Sequence, residues 1–441
     1  MSAPPRAARA GRAGEPGRRA VEAVWRIESA RVVGALARYT GDVALAEDVA
    51  QEALAEALVA WPRDGVPASP AGWLLAVGRR RAIDAFRRRA ALDERYAALA
   101  RGLDDGGTAA GATSGTSSGT GDADILWDPD RVDDDVLALV LVACHPVLSR
   151  EAQVALTLRV VAGLSSDEIA RAFLVPTATV QARITRAKKT LAAAGVPFAV
   201  PPREERPERL GGVLAVLYVI FTEGSTATSG DEWLRPDLAH EALRLARVLV
   251  GLVPDEPEAH ALLALLELTA ARFPARTGPD GEPVLLADQD RRRWDRSAVR
   301  RGRAALARAD AHGRGRGAYG LQAAIAECHA VAPSVAETDW ERVVLLYEAL
   351  GRVAPSPVVD LNRAVAVAMA QGPQEALDIV DELVAADRLS GFHLLPSVRA
   401  ELLGRLGRVD EARAEYDLAV RLCPNPRERD LLRRKSAALR P

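Results

Sequence analysis

Apolar residues recur along most of this chain at the three-and-four spacing of helices buried on one side. In AEDVAQEALAEALVAW (46–61), Val49, Ala53, Leu54, Ala57, Leu58 and Trp61 form one stripe, while Asp48, Glu52 and Glu56 share an outer face. PAGWLLAVGRRRAIDAFRRR (70–89) starts apolar and ends as an arginine-rich helix, with Arg81 and Arg88 aligned beside Asp84. In LSSDEIARAFLVPTATVQARITRAKKTL (164–191), Ser165 and Glu168 predict a capping box. Ile169, Ala170 and Phe173 give a first helix its apolar side, Leu174-Val175-Pro176 makes a turn, and Thr177 caps a second helix. There Val180, Ile184, Ala187 and Leu191 share one face, and Thr179, Gln181, Arg183, Arg186 and Lys189 the other. That is a helix-turn-helix with a polar side free for a major groove. Early polar residues suit base edges and later cations suit phosphates. An ordinary hairpin with a solvated basic face is the plainer alternative.

The pattern stops and restarts at definable places. Residues 1–19 are Arg, Pro, Gly and Ala without period and predict a disordered tail. Residues 20–95 read as a first helical module, 96–131 as a flexible acidic linker containing DDGGTAAGATSGTSSGTGDAD, and 132–197 as a second module. From 198 to 441 helices alternate with short Pro- or Gly-containing turns. Gly407, Ala412, Tyr416, Ala419 and Pro424 stand at the offsets of a tetratricopeptide unit; Ala242, Ala246 and Pro254 echo them, and Gly372 and Ala376 are one residue off. The expected fold is all-α, in three parts.

Composition agrees: 441 residues, 49% hydrophobic but only 4% aromatic, favour helix packed on helix over stacked sheets. The net charge of −2 is uninformative; its distribution is not. Six arginines face one acid in 79–89, and 183–189 holds four cations and no acid, whereas 104–135 holds nine Asp against Arg131. Local basic stripes in a neutral chain fit a nucleic-acid binder. Cys144, Cys328 and Cys423 are scattered and odd in number, which predicts neither a disulfide framework nor a metal site and suits a reducing cytoplasm. VLAVLYVIF (213–221) is about half the ~20 residues a membrane span needs, so it predicts a buried helix in a soluble protein. Glu223, Asp288, Asp290 and His329 lie on different elements with no supporting spacing, and no phosphate loop, dinucleotide fingerprint or nucleophile elbow is present. No enzyme activity and no cofactor are expected.

TGDVALAEDVAQE followed by WLLAVGRRRAIDAFRRR resembles region two of the extracytoplasmic-function sigma factors, and 164–191 resembles their region four. FTEG (221–224), DQDRRRWDR (288–296), YGLQAAIAECH (319–329) and SPVVDLNRAVAVA (356–368) resemble the subgroup with a tetratricopeptide-like C-terminal extension. The resemblance implies core RNA polymerase and promoter DNA as partners. It implies docking of Asp48, Gln51 and Glu52 on the clamp helices of the β′ subunit, further contact with β, and opening of the minus-ten element around 63–89, where Arg79, Arg80, Arg81, Arg87 and Arg88 stand. It implies reading of the minus-thirty-five element by 177–189, with Thr177, Thr179, Gln181, Arg183, Arg186, Lys188 and Lys189 as contacts, and regulation through the extension rather than a membrane anti-sigma factor. Many members carry Asn where this chain has Arg80, which spacing places beside Val77 and Ile83, where it must snorkel or find a partner. The linker passes a length test: elements ~25 base pairs apart lie ~85 Å apart on DNA, within the ~120 Å reach of an extended 96–131 but beyond its relaxed ~35 Å.

Within the extension, Asp288, Gln289, Asp290, Arg291 and Trp294 are expected to form an ordered acidic loop with a planar anchor, a docking surface for the sigma modules or polymerase. The competing functional class is a helix-turn-helix activator with a repeat-type sensor, which would need nothing like 46–89.

Overall fold

The computed structural model describes residues 15–103, 132–173, 175–202, 204–225, 234–278 and 282–439; residues 1–14 of the tail expected at 1–19, most of the expected linker (104–131) and the turn residue Leu174 lie outside them, and 15–19 are helical instead. Among the described residues every extended element is a helix, apart from one isolated bridge between Thr277 and Pro283. The chain divides into two compact units, one of residues 1–171 and 175–216, the other of 172–174 and 217–441.

In the first unit α1 (Glu15–Thr40), α2 (Val43–Asp64) and α3 (Pro70–Leu103) pack together, and α1 also packs on α4 (Val132–Ala143). Asp42 caps α2 by accepting from the backbone of Ala44 and Leu45 at 2.7 and 3.2 Å. α3 runs eight residues past the boundary expected at 95, because DERYAALAR offers no helix breaker before Gly102. α5 (Arg150–Val160), α6 (Ser166–Phe173) and α7 (Thr177–Ala193) complete the helix-turn-helix region. Two glycines allow α1 to lie close to it. A Cβ on Gly34 would stand 3.1 Å from the Asp135 carbonyl oxygen, and Gly163 adopts φ 71° with Ser29 Oγ 2.6 Å from where a Cβ would be. α8 (Arg206–Ser225) contains the apolar run 213–221, and Val213, Val216 and Ile220 are fully buried. Its first half belongs to the first unit, where Arg209 donates to the Leu141 carbonyl at 3.1 Å and Arg150 to that of Gly212 at 3.2 Å. The division therefore falls inside α8, at 216/217, rather than at 197/198.

The second unit continues through α9 (Pro236–Leu252), α10 (Pro257–Ala270), α11 (Arg296–Ala311), α12 (Ala318–Val331), α13 (Trp340–Val353), α14 (Pro357–Ala370), α15 (Pro373–Ala385), α16 (Leu394–Arg405), α17 (Val409–Leu422) and α18 (Pro426–Ala438). Most helices pack chiefly on their neighbours along the chain, but α12 packs chiefly on α10. Between α16 and α17, Gly407 takes φ 76°, and Ala412, Tyr416 and Ala419 are buried, with Pro424 following the end of α17.

The 288–296 segment departs from expectation. It consists of short 3₁₀ turns, with Asp290 capping the turn 291–293 and Asp295 capping α11. Trp294 is only 3% exposed and packs with Leu268, Ala271, Ala298 and Val299. Gln289 is buried too, donating to the Val284 carbonyl at 3.0 Å. Arg291 donates to the carbonyls of His329 and Ala332, the latter at 2.6 Å, and so closes the C-terminal end of α12, where carbonyls have no partner within the helix. Trp294 lies between Arg291 and Arg272, 4.7 and 5.5 Å from its ring centre. The expected anchor is thus a core residue; Asp288 keeps the exposure expected of it and Asp290 part of it, and Arg292, Arg293 and Asp295 are exposed beside them. Burial, with Arg276 and Arg291 nearby, pushes Arg272 down to about 9 and leaves it protonated at neutral pH. Burial and the same cations, Arg272 and Arg291, push His329 down to about 4 and keep its ring neutral.

Candidate nucleic-acid interface

The helix-turn-helix forms as its spacing predicts. Glu168 accepts from the Ser165 backbone at 2.8 Å while Ser165 Oγ accepts from the Glu168 backbone at 3.2 Å, closing the capping box. Val180, Ile184, Ala187 and Leu191 are buried. Gln181, Arg186 and Lys189 are exposed, and Thr177, Thr179 and Arg183 half-buried. Thr179, Arg183, Arg186 and Thr190 line a groove of about 520 Å³ against Val147, Ser149 and Glu151. Thr177 is not the cap: Pro176 holds that position, and the Thr177 hydroxyl donates to Asp167 at 2.8 Å, tying α7 to α6 instead.

Lys188 differs from its neighbours. It lies a quarter-turn from Lys189, on the side that meets α2, and its side chain is only 14% exposed. It donates to Glu47 and, at 2.8 Å, to Asp48. Glu47 is 4% exposed on its side chain and also accepts from Arg159 at 2.8 Å. Burial alone would raise the Glu47 carboxyl, but Lys188 and Arg159 outweigh it and hold the group below the usual carboxylate range. Burial would lower Lys188, but Glu47 and Asp48 raise it above its ordinary value. Glu47 and Lys188 therefore stay charged at neutral pH. Around this trio Arg38 pairs with Asp135 at 3.0 Å, Arg26 with Glu168 at 2.6 Å, and Trp25 Nε1 donates to the Gly163 carbonyl at 3.1 Å. Lys188 is thus turned away from the face expected on DNA.

On α2, Asp48 and Glu52 are exposed, with Gln51 and Glu56 half-buried. These acids are engaged within the unit: Arg81 reaches Glu52 at 3.6 Å and Glu56 at 2.9 Å, and Arg80 reaches Glu56 at 2.8 Å. Arg80 finds the partner its spacing called for in Glu56, while its side chain stays 60% exposed; the buried stripe of α3 runs through Leu74, Leu75, Val77, Gly78 and Ala82. Arg79, half-buried like Arg81, lies 5.6 Å from the ring centre of Tyr39. Asp84 pairs at 4.0 Å with Arg87, three residues on, and Arg87, Arg88 and Arg89 are all exposed.

Three residues escaped the sequence reading. Tyr39 and Phe86 are 36% and 38% exposed with ring centres 6.5 Å apart beside Arg79, an aromatic and cationic surface suited to unstacked bases. They are distant in sequence, so no spacing rule joins them. Glu47 is the third; as one of three acids near the start of α2 it carried no signal of burial.

Comparison with known proteins agrees with this geometry. The family description Sigma-70 region 2 matches residues 26–91, Sigma-70, region 4 matches 138–191, and a family of unknown function (DUF6596) matches 209–310. An uncharacterized protein of Rhizobium meliloti (strain 1021) is 43% identical over 415 residues, covering 91% of this chain and 92% of that protein. No solved structure matches. Among the described residues no helix is long and apolar enough to cross a membrane. With an arginine-bearing α3 beside an acid-faced α2, a helix-turn-helix at α6–α7 and both sigma-70 regions matched in order, the chain belongs to the sigma-70 family as an extracytoplasmic-function-like sigma factor with a C-terminal extension, a promoter-recognition factor for RNA polymerase rather than an enzyme.

Proposed function

We propose that the chain docks on the β′ clamp of core polymerase through Asp48, Gln51 and Glu52, holds the opened minus-ten strand on Tyr39, Phe86 and the arginines of α3, and reads the minus-thirty-five element with α7. The observation that carries this reading is α7 itself. Gln181, Arg186 and Lys189 are exposed together on one face while Val180, Ile184, Ala187 and Leu191 are buried on the other. The Glu47–Lys188–Asp48 contact adds a condition: the helix assigned to duplex DNA and the acids assigned to polymerase hold one another, so they part before both are engaged. Its partners place the protein's work in the cytoplasm.

The extension is a tetratricopeptide-like array that regulates initiation in cis. The mostly sequential packing of its helices supports that reading, and Asp288, Asp290, Arg292, Arg293 and Asp295 stand at the surface of the 288–296 segment to make a contact. The test is run-off transcription with purified core polymerase. Wild-type protein is expected to start transcription at a defined promoter. Reversing Asp48 and Glu52 to Lys lowers core affinity with an unchanged circular dichroism spectrum; unaltered affinity removes the docking assignment. Truncation after 225 keeps the part of α8 that packs on the first unit and is expected to abolish or deregulate transcription. Wild-type output from it makes the extension a passenger.

A further inference from the structure

One group of side chains, far from the nucleic-acid surfaces in sequence, brings three different metal-binding donors together. His393 immediately precedes α16, Cys423 follows the last residue of α17, and Glu428 lies in the first turn of α18. Their ligand atoms all lie within 4.8 Å of one another. His393 Nε2 stands 3.1 Å from one Glu428 oxygen, and Cys423 Sγ stands 3.6 Å from the other. Donors around a tetrahedral zinc, at about 2.0–2.3 Å from the metal, are about 3.4–3.6 Å apart. The separations to Glu428 come close to that set, and the His393–Cys423 pair, within 4.8 Å, closes on it by side-chain adjustment.

The surroundings favour a ligand over a plain ion pair. Cys423 is buried, and the His393 and Glu428 side chains are 14% and 16% exposed. Despite the 3.1 Å separation, His393 Nε2 is buried and makes no aligned hydrogen bond to the carboxylate or to anything else. Asn425, itself buried, accepts from the backbones of Arg427 and Glu428 at 3.0 and 3.3 Å and so fixes the turn that carries the carboxylate. Burial, with Glu428 adjacent, pushes the Cys423 thiol up to about 11. A divalent cation reverses that balance by binding the thiolate directly, releasing the proton to solvent. Thiolate, imidazole and one carboxylate together suit zinc better than calcium or magnesium, which take oxygen.

We propose that His393, Cys423 and Glu428 form a zinc site that pins α16, α17 and α18 together, with a fourth position left to water. Among the described residues, this is the one group of three His, Cys, Asp or Glu side chains with such spacing. The full-length, tag-free protein, loaded with zinc and desalted, is expected to retain about one zinc per chain by mass spectrometry of the metal. Cobalt(II) in place of zinc should give a near-ultraviolet thiolate charge-transfer band. Cys423→Ser should remove that band, and Cys423→Ser and His393→Gln should each weaken zinc binding by at least about tenfold. Cys144→Ser should change neither measurement. Glu428→Gln keeps the thiolate, so it should retain the cobalt band while losing affinity, which decides the matter if Cys423→Ser does not fold. A folded wild-type chain that retains no zinc and shows no cobalt band overturns the proposal, as does a Cys423→Ser protein that keeps both.

Discussion

RRRAIDAFRRR in α3 and DQDRRRWDR between α10 and α11 look alike as sequence: each is dense in arginine, with acid and one aromatic among the cations. They meet opposite fates. In α3 the helical repeat sends Gly78 and Ala82 inward and leaves Arg80, Arg87, Arg88 and Arg89 outside. In 288–296 the 3₁₀ turns impose no long apolar face, and Trp294, Gln289 and Arg291 turn inward to the core and to the carbonyls ending α12 while Arg292 and Arg293 stay outside. A charge cluster is a surface when a regular helix carries it. When an irregular connection carries it between helix ends, its donors fill backbone acceptors that the helices leave open. The Glu47–Lys188–Arg159 trio stands between these cases, charged like the first and buried like the second.

Substitutions can break this comparison, beginning with the largest effect. Trp294→Ala removes a buried indole and should cost about 3–5 kcal/mol, read as a lower denaturation midpoint for the extension. A loss below about 1 kcal/mol would return Trp294 to the surface role first expected of it. Glu47→Gln leaves Lys188 and Arg159 buried without their shared carboxylate and should cost about 3 kcal/mol. Labels on α2 and α7 should then report separation of the two helices. The same contact depends on pH with a definite sign. Glu47 titrates lower folded than unfolded, so its stabilisation is full above the ordinary carboxylate value of about 4.3 and disappears as pH falls through the folded value. Fluorescence transfer between the labels should therefore fall on acidification in wild type and be insensitive to pH over that range in Glu47→Gln.

Arg291→Ala should cost about 1–3 kcal/mol, because two carbonyls lose their donor. Lys in its place should recover much of it, since both bonds leave one guanidinium nitrogen, a place one ammonium can take. Arg88→Ala should sit at the other extreme, within about 0.5 kcal/mol of wild type in stability, while open-complex formation at the minus-ten element drops. Lys189→Ala should likewise leave the fold intact, weaken binding to all DNA sequences and reduce the salt slope by about 1, whereas Gln181→Ala should change preference at one base position by about 1–3 kcal/mol. If Lys188→Ala behaves as Lys189→Ala does on DNA, without affecting the contact with α2, the distinction between the two lysines fails.

Much was legible before any coordinates. The stripe Val180–Ile184–Ala187–Leu191, the Ser165–Glu168 capping box and the outer face of Asp48 and Glu52 depend on spacing within one helix, which periodicity reads directly. One small error had a local cause: Thr177 has a competing partner in Asp167.

By itself the amino-acid sequence determined the all-helical class, the order of the sigma regions and which face of α7 is polar, because a helix converts spacing into direction without help from the rest of the chain. Only the tertiary structure decided that Lys188 faces Glu47, that Trp294 and Arg291 are internal, that Tyr39 meets Phe86, and that His393, Cys423 and Glu428 converge. Each joins residues on different elements, and their distance is set by how helices pack, which no spacing along the chain encodes.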